Sequence, residues 1–167
     1  MNLKDRNSIT RLDYSSEEIQ DILIKSANDL ISLEAPNYQY AAARLLSYTV
    51  NKQVFGEYNA FSFKEMIDKN IERGMYDSAI LDSYTEEEIA TLGRYIHHKR
   101  DENFTYAGMR QVVDKYLVQD RSTGELFETP QFMYMMIAAT LFAQYPAETR
   151  MHYVRRYYDA TSLFKIN

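Results

Sequence analysis

The chain has 167 residues, 46% of them hydrophobic and 15 of them tyrosine, which suffices for one globular domain with or without a small appendage. A formal charge of −5 argues against a general nucleic-acid binder, which would carry a basic face. The absence of cysteine excludes disulfides, thiolate zinc sites and any thiol nucleophile within these residues. No apolar run reaches the roughly 18 residues of a membrane span. The start, MNLKDRNSIT, shows no apolar signal region, so a cytoplasmic location is expected.

Residues 1–14 are polar and read either as an unstructured leader or as the remnant of a basic hairpin. Ser15 and Glu18 then form a capping-box pattern before a stripe of Ile19, Ile22, Leu23, Ala27, Leu30 and Ile31. Pro36 opens a second helix with Tyr38, Ala41, Ala42, Leu45, Leu46 and Thr49 on one side, closed by Gly56. Ser62 with Glu65 and Thr85 with Glu88 repeat the capping-box pattern. Gly74 suits a C-cap, and Ser78–Ser83 reads as a short apolar link. Glu86, Glu87 and Glu88 fall in a first helical turn, and His97 to Arg100 near that helix's end, each sign matching the macrodipole.

Tyr106, Met109, Val113, Tyr116 and Leu117 recur at helical spacing. Asp120 to Gly124 is turn chemistry, flanked by Val118 and Leu126–Phe127 as two short strand arms. Pro130 fits the first turn of a helix that is apolar on nearly every side and is therefore expected at the buried centre. Pro146 opens a last helix with Met151, Val154, Tyr158 and Thr161 inward. The expected fold is mainly α, about seven packed helices with one short β-hairpin.

The run KYLVQDRSTGELFETPQFMY, residues 115–134, resembles the N-terminal helical region of the large subunit of class I ribonucleotide reductase. The likeness extends upstream through Ala35–Leu45, Lys52–Gly56 and Tyr84–Glu88. Downstream it takes in Tyr145–Arg150 and Tyr157–Ile166, covering roughly residues 15–166. It implies three parts: a leader or remnant hairpin at 1–14, partial ATP-cone helices at 15–57, and the helical domain at 58–167.

The resemblance also implies roles. Lys52 matches the lysine that meets the effector's phosphates, a job suited to a flexible point charge. Its alternative is a solvated lysine. Ser16 aligns with a threonine that touches the effector; its alternative is a plain N-cap. Lys4 would face phosphate if the hairpin exists. Thr49 and Gln20 stand where many relatives carry histidines. The implied effector is ATP or dATP; no other cofactor is implied for this chain.

The parent enzyme reduces ribonucleoside diphosphates through a cysteine thiyl radical and a cysteine pair, neither of which these residues supply. No catalytic residue is therefore assigned, and the implied partners are the remainder of the large subunit and the radical-bearing small subunit. Nucleic acid and membrane are not implied partners. Two other readings remain: a non-catalytic module that binds reductase subunits, and a free nucleotide sensor.

His97 and His98 are adjacent and His152 is distant, so no metal site is expected. Asp101 and Glu102 read as solvated or paired with neighbours. Lys115 and Tyr116 read as a surface lysine and a core tyrosine, or as part of a cavity wall. Arg150, Arg155 and Arg156 with Tyr153, Tyr157 and Tyr158 read as an inter-domain surface or a nucleotide-stacking patch. An exposed apolar surface is expected on a segment of this kind.

Overall fold

A computed structural model describes residues 14–56 and 60–166. Among them are eight α-helices: α1 (Ser16–Asp29), α2 (Tyr38–Phe55), α3 (Phe63–Glu72), α4 (Ala79–Ser83), α5 (Glu86–Tyr95), α6 (Tyr106–Gln111), α7 (Pro130–Phe142) and α8 (Ala147–Ser162). A 3₁₀ turn covers His98–Asn103 and a π turn covers Val112–Tyr116. The eighth helix is α4, expected only as an apolar link. None of these helices is long and apolar enough to cross a membrane. Lys4 and the leader-or-hairpin alternative lie outside the described residues, apart from Tyr14.

All three capping boxes form. Ser15, Ser62 and Thr85 each accept the N–H of the glutamate three residues on, and each glutamate accepts the cap residue's own N–H at 2.8 Å. Orphan donors are thus satisfied locally, which explains why these boundaries follow from short sequence patterns. Gly93 on α5 allows a close approach to α3, since a Cβ there would stand 3.2 Å from that of Phe63.

Two apolar clusters hold the chain together. The first packs Phe63, Met66 and Ile67 of α3, Ile80 of α4, Ile89 and Leu92 of α5, Phe132 and Met135 of α7, and Val154 and Tyr158 of α8. The second joins Ile24 of α1 and Ala43, Leu46 and Val50 of α2 to Met109, Val112, Leu117 and Leu126. Helix α7 serves both, giving Met133 to the second. It is central as expected, but Ile137 (42% exposed) and Leu141 (55%) form a strip open to solvent.

Of the stripe expected to bury α1, Ala27 alone is buried. Ile19, Ile22, Leu23, Leu30 and Ile31 are all at least 38% exposed, while Ile24 and Ala27 meet α2. In α2 the buried line is Ala42, Ala43, Leu46, Ser47 and Val50, so Ala41 and Thr49 are not part of it.

The β-hairpin is not formed. The chain reverses at Asp120–Gly124, with Gly124 at φ +77° and its N–H on the Asp120 carbonyl at 2.7 Å. Only an isolated antiparallel bridge, Gln119 with Leu126, follows from it. A ladder cannot extend because the Val118 N–H is taken by the Glu128 carboxylate at 2.9 Å. On the other arm, Pro130 offers no N–H and α7 begins.

Candidate functional site

Three surfaces hold the residues of interest. The first is one end of the α1–α2 pair. The two helices pack together after a short connection, so they run antiparallel, and the start of α1 lies at the same end as the close of α2. Ser16 and Lys52 therefore share that end, both exposed. Ser15, not Ser16, is the N-cap of α1, which leaves the Ser16 hydroxyl without that task. Thr49 donates to the Leu45 carbonyl at 3.2 Å and lines a neighbouring groove with Asp21, Lys25 and Arg110.

The second surface is a groove of about 670 Å³ between α6, α7 and the end of α8. Its apolar lining is Phe104, Val112, Met133, Ile137, Phe164 and Ile166. Hydroxyl-bearing Thr105, Tyr116, Tyr134, Tyr157 and Thr161 line it as well, and no charged residue does. Burial pushes the Tyr134 phenol up to about 12, with the nearby Asp101 charge adding to it, so it is neutral at ordinary pH.

Tyr116 departs from the core alternative of the sequence reading. It is 58% exposed and walls this groove rather than filling the core, whereas its neighbour Leu117 is fully buried. The cause is the π turn, which shifts the helical phase by inserting a residue after α6. Arg121 stabilises that turn by donating to the Asp114 and Lys115 carbonyls at 3.1 and 3.3 Å.

The third surface is a cleft of about 390 Å³ between α2 and the 98–103 turn, lined by Arg44, Ser47, Asn51, His98, Lys99 and Asp101 among others. Here the histidines also depart from expectation. Helix α5 stops at Tyr95, so His97 to Arg100 do not complement its end. His98 is wedged edge-on against Phe132 and Phe55, with ring centroids at 5.0 and 5.9 Å, and burial lowers its pKa. Among the described residues no three His, Cys, Asp or Glu side chains gather as a metal site would require.

Asp101 is 2% exposed, not solvated. It begins a polar chain missed in the sequence. Gln131 donates to Asp101 at 2.8 Å, Tyr158 donates to Gln131 at 2.6 Å, and the His97 N–H donates to Tyr158 at 2.9 Å. A glutamine inside an otherwise apolar helix was the available signal, because a buried amide demands partners.

The basic, aromatic patch is partly engaged within the fold. Arg150 forks onto Glu88 at 3.0 and 2.5 Å and covers the Tyr84 ring. Arg155 covers Tyr95, and Tyr158 is buried. Tyr153, Arg155 and Arg156 are exposed, and the Tyr153 ring stacks on Phe142 with centroids 5.7 Å apart.

The comparisons bear on these surfaces together. The family model described as "Ribonucleotide reductase, all-alpha domain" matches residues 102–167, the stretch that builds the groove. Ribonucleoside-diphosphate reductase 1 subunit alpha of Escherichia coli (strain K12) is 46% identical over 91% of this chain and 20% of its own length. The subunit alpha of Haemophilus influenzae is 45% identical over the same shares. That of Enterobacteria phage T4 is 42% identical over 96% of this chain and 21% of its own. The chain thus spans about a fifth of the length of the relatives it matches.

Proposed function

Because this chain belongs to the class I ribonucleotide reductase large-subunit family, whose N-terminal region it carries, we propose that it supports reduction of ribonucleoside diphosphates as a non-catalytic wall. The observation that carries this reading is the uncharged groove between α6, α7 and α8, within the stretch that matches the family model. A groove so depleted of charge in a chain that is 26% charged favours burial against another surface. Its covering partner in this reading is the remainder of the large subunit. The small radical-bearing subunit is a further partner of the assembled enzyme.

Residues 15–57 serve in this reading as a partial effector cone and residues 58–167 as the helical domain. Ser16 and Lys52, at one end of the α1–α2 pair, would meet the phosphates of ATP or dATP. The division is one of function, since α2 packs onto the 98–103 turn and α6 through a shared core cluster.

Two experiments test this. Co-expression with a chain carrying the rest of the subunit should give CDP reduction that neither chain gives alone. Turnover by this polypeptide by itself, or failure of the two chains to co-purify, overturns the proposal. Calorimetry with ATP and dATP, on the wild type and Lys52→Ala, tests the effector end separately. Absence of heat at millimolar nucleotide removes that role and leaves the wall intact.

A further inference from the structure

The cleft between α2 and the 98–103 turn conceals an acid that the proposed function does not use. One Asp101 oxygen accepts the Gln131 N–H at 2.8 Å, and the other has no partner among the described residues. A carboxylate so buried cannot keep its charge cheaply with a single donor.

The groups around it are settled, apart from two. On its own turn, Arg100 is held by Asp159 at 2.8 Å and by Ser162 at 2.6 Å, and Glu102 is exposed. Burial lowers the His98 pKa, which disfavours its charged form in the closed turn. From α7 and α8, the Tyr134 and Tyr158 phenols are both raised by burial and uncharged. The remaining charges are Lys99 and, on the facing wall of α2, Arg44. Both line the cleft, both are exposed, and neither joins an ion pair among the described residues.

We propose that Asp101 is a proton-operated latch between α2 and the α7–α8 core: neutral, it lets the turn close beneath α2; ionised, it opens the cleft and draws Arg44 onto its free oxygen. The placement suits such a device. The turn contacts α2 on one side and α7 on the other, and the Asp101–Gln131–Tyr158 chain carries its position into α8. Burial pushes the Asp101 carboxyl up to about 7, against the opposing bond from Gln131. Its closed-state value thus lies above the ordinary carboxylate value that an opened, solvated Asp101 would have. Closure takes up a proton, so the closed state is favoured at low pH, weakens as pH rises toward 7, and levels off beyond it. The latch rests on the turn's geometry and does not depend on the reductase reading.

The test is amide hydrogen exchange on the whole chain from pH 5 to pH 8, corrected for intrinsic rates. Protection over residues 98–103 should fall some tens-fold between pH 5 and pH 7 and less than about twofold from pH 7 to pH 8. Residues of α3 and α5 should not follow. Asp101→Asn should flatten the profile. Arg44→Gln, which removes the partner of the open, ionised form, should be more protected than the wild type at pH 8 and, since the open form is ionised there too, at pH 5. His98 titrates with the opposite sign, so it cannot mimic the trend. An unchanged profile in Asp101→Asn, or wild-type protection that is level from pH 5 to pH 7, overturns the latch. Should Asp101→Asn not fold, the carboxyl carbon of Asp101 can be titrated by NMR in the wild type, and a midpoint below 5 overturns it equally.

Discussion

The Tyr158 hydroxyl donates to Gln131 Oε1 at 2.6 Å from a ring that is fully buried. The Tyr158 hydroxyl oxygen in turn accepts the His97 N–H at 2.9 Å, so one hydroxyl ties α7, α8 and the start of the 98–103 turn. Tyr158→Phe keeps the ring and strands two buried partners, which costs about 1–3 kcal/mol. For a chain of this size that lowers Tm by about 2–4 °C per kcal/mol. Tyr153→Phe, on the surface of the same helix, should leave Tm unchanged. Thermal melts followed by circular dichroism separate the two, and equal Tm values would show that the hydroxyl has no structural role.

Glu88 has two tasks. It closes the α5 capping box and receives the Arg150 fork, with the side chains only 19% and 12% exposed. A double-mutant cycle with Glu88→Gln and Arg150→Gln should give a coupling of about 1–2 kcal/mol, above the range for exposed pairs. The Arg150 hydrogen bonds hold the Glu88 carboxyl below its ordinary value, against a smaller desolvation effect. Its contribution is therefore complete above the unfolded carboxylate pKa and is lost as pH falls through the folded one. The coupling should shrink on acidification below about pH 4. A coupling independent of pH would assign the interaction to packing over Tyr84 instead.

Much of this architecture is local and was legible. Each capping box is a serine or threonine with a glutamate three residues on, and all three start a helix where the pattern predicts. Pro130 and Pro146 likewise mark the starts of α7 and α8. What failed depended on phase or on distant partners. The π turn shifts the register after α6, which turns Tyr116 outward though its spacing matches Met109 and Val113. The 120–124 reversal reads as a hairpin until a glutamate ten residues beyond Val118 takes its N–H. Asp101 sits in a run of charges, where nothing nearby foretells that Gln131 will draw it inside. The shared end of Ser16 and Lys52 needed only helix pairing, whereas the groove needed three separated elements.

Glu128 is the device that replaces the missing ladder. It is 2% exposed, accepts the Val118 N–H, and receives the Tyr76 hydroxyl from beyond α3. Desolvation raises its pKa, opposed by these two bonds. A glutamine can replace it, because its oxygen serves Val118 while its amide donates to the Tyr76 oxygen. Glu128→Gln should therefore cost under about 1 kcal/mol, and Glu128→Leu, which strands the Val118 N–H and the Tyr76 hydroxyl, about 2–4 kcal/mol. Denaturant midpoints measure both, and similar losses in the two variants would show that charge, not hydrogen bonding, holds the loop.

Neighbouring residues of α1 should respond in opposite ways. Ile24 is 7% exposed against α2, while Leu23 is 46% and Ile22 47% exposed. Ile24→Ala removes packing from the second core cluster and should cost about 2–5 kcal/mol. Ile22→Ser and Leu23→Ser lie outside it and should stay within about 0.5 kcal/mol of wild type. They should nevertheless reduce binding of an environment-sensitive apolar dye, because Ile19, Ile22, Leu23 and Leu30 form one exposed aliphatic stripe and such stripes take up the dye. If Leu23→Ser unfolds the chain while Ile24→Ala does not, α1 is rotated about its axis relative to this structure. The stripe would then be core, as the spacing of its residues had suggested.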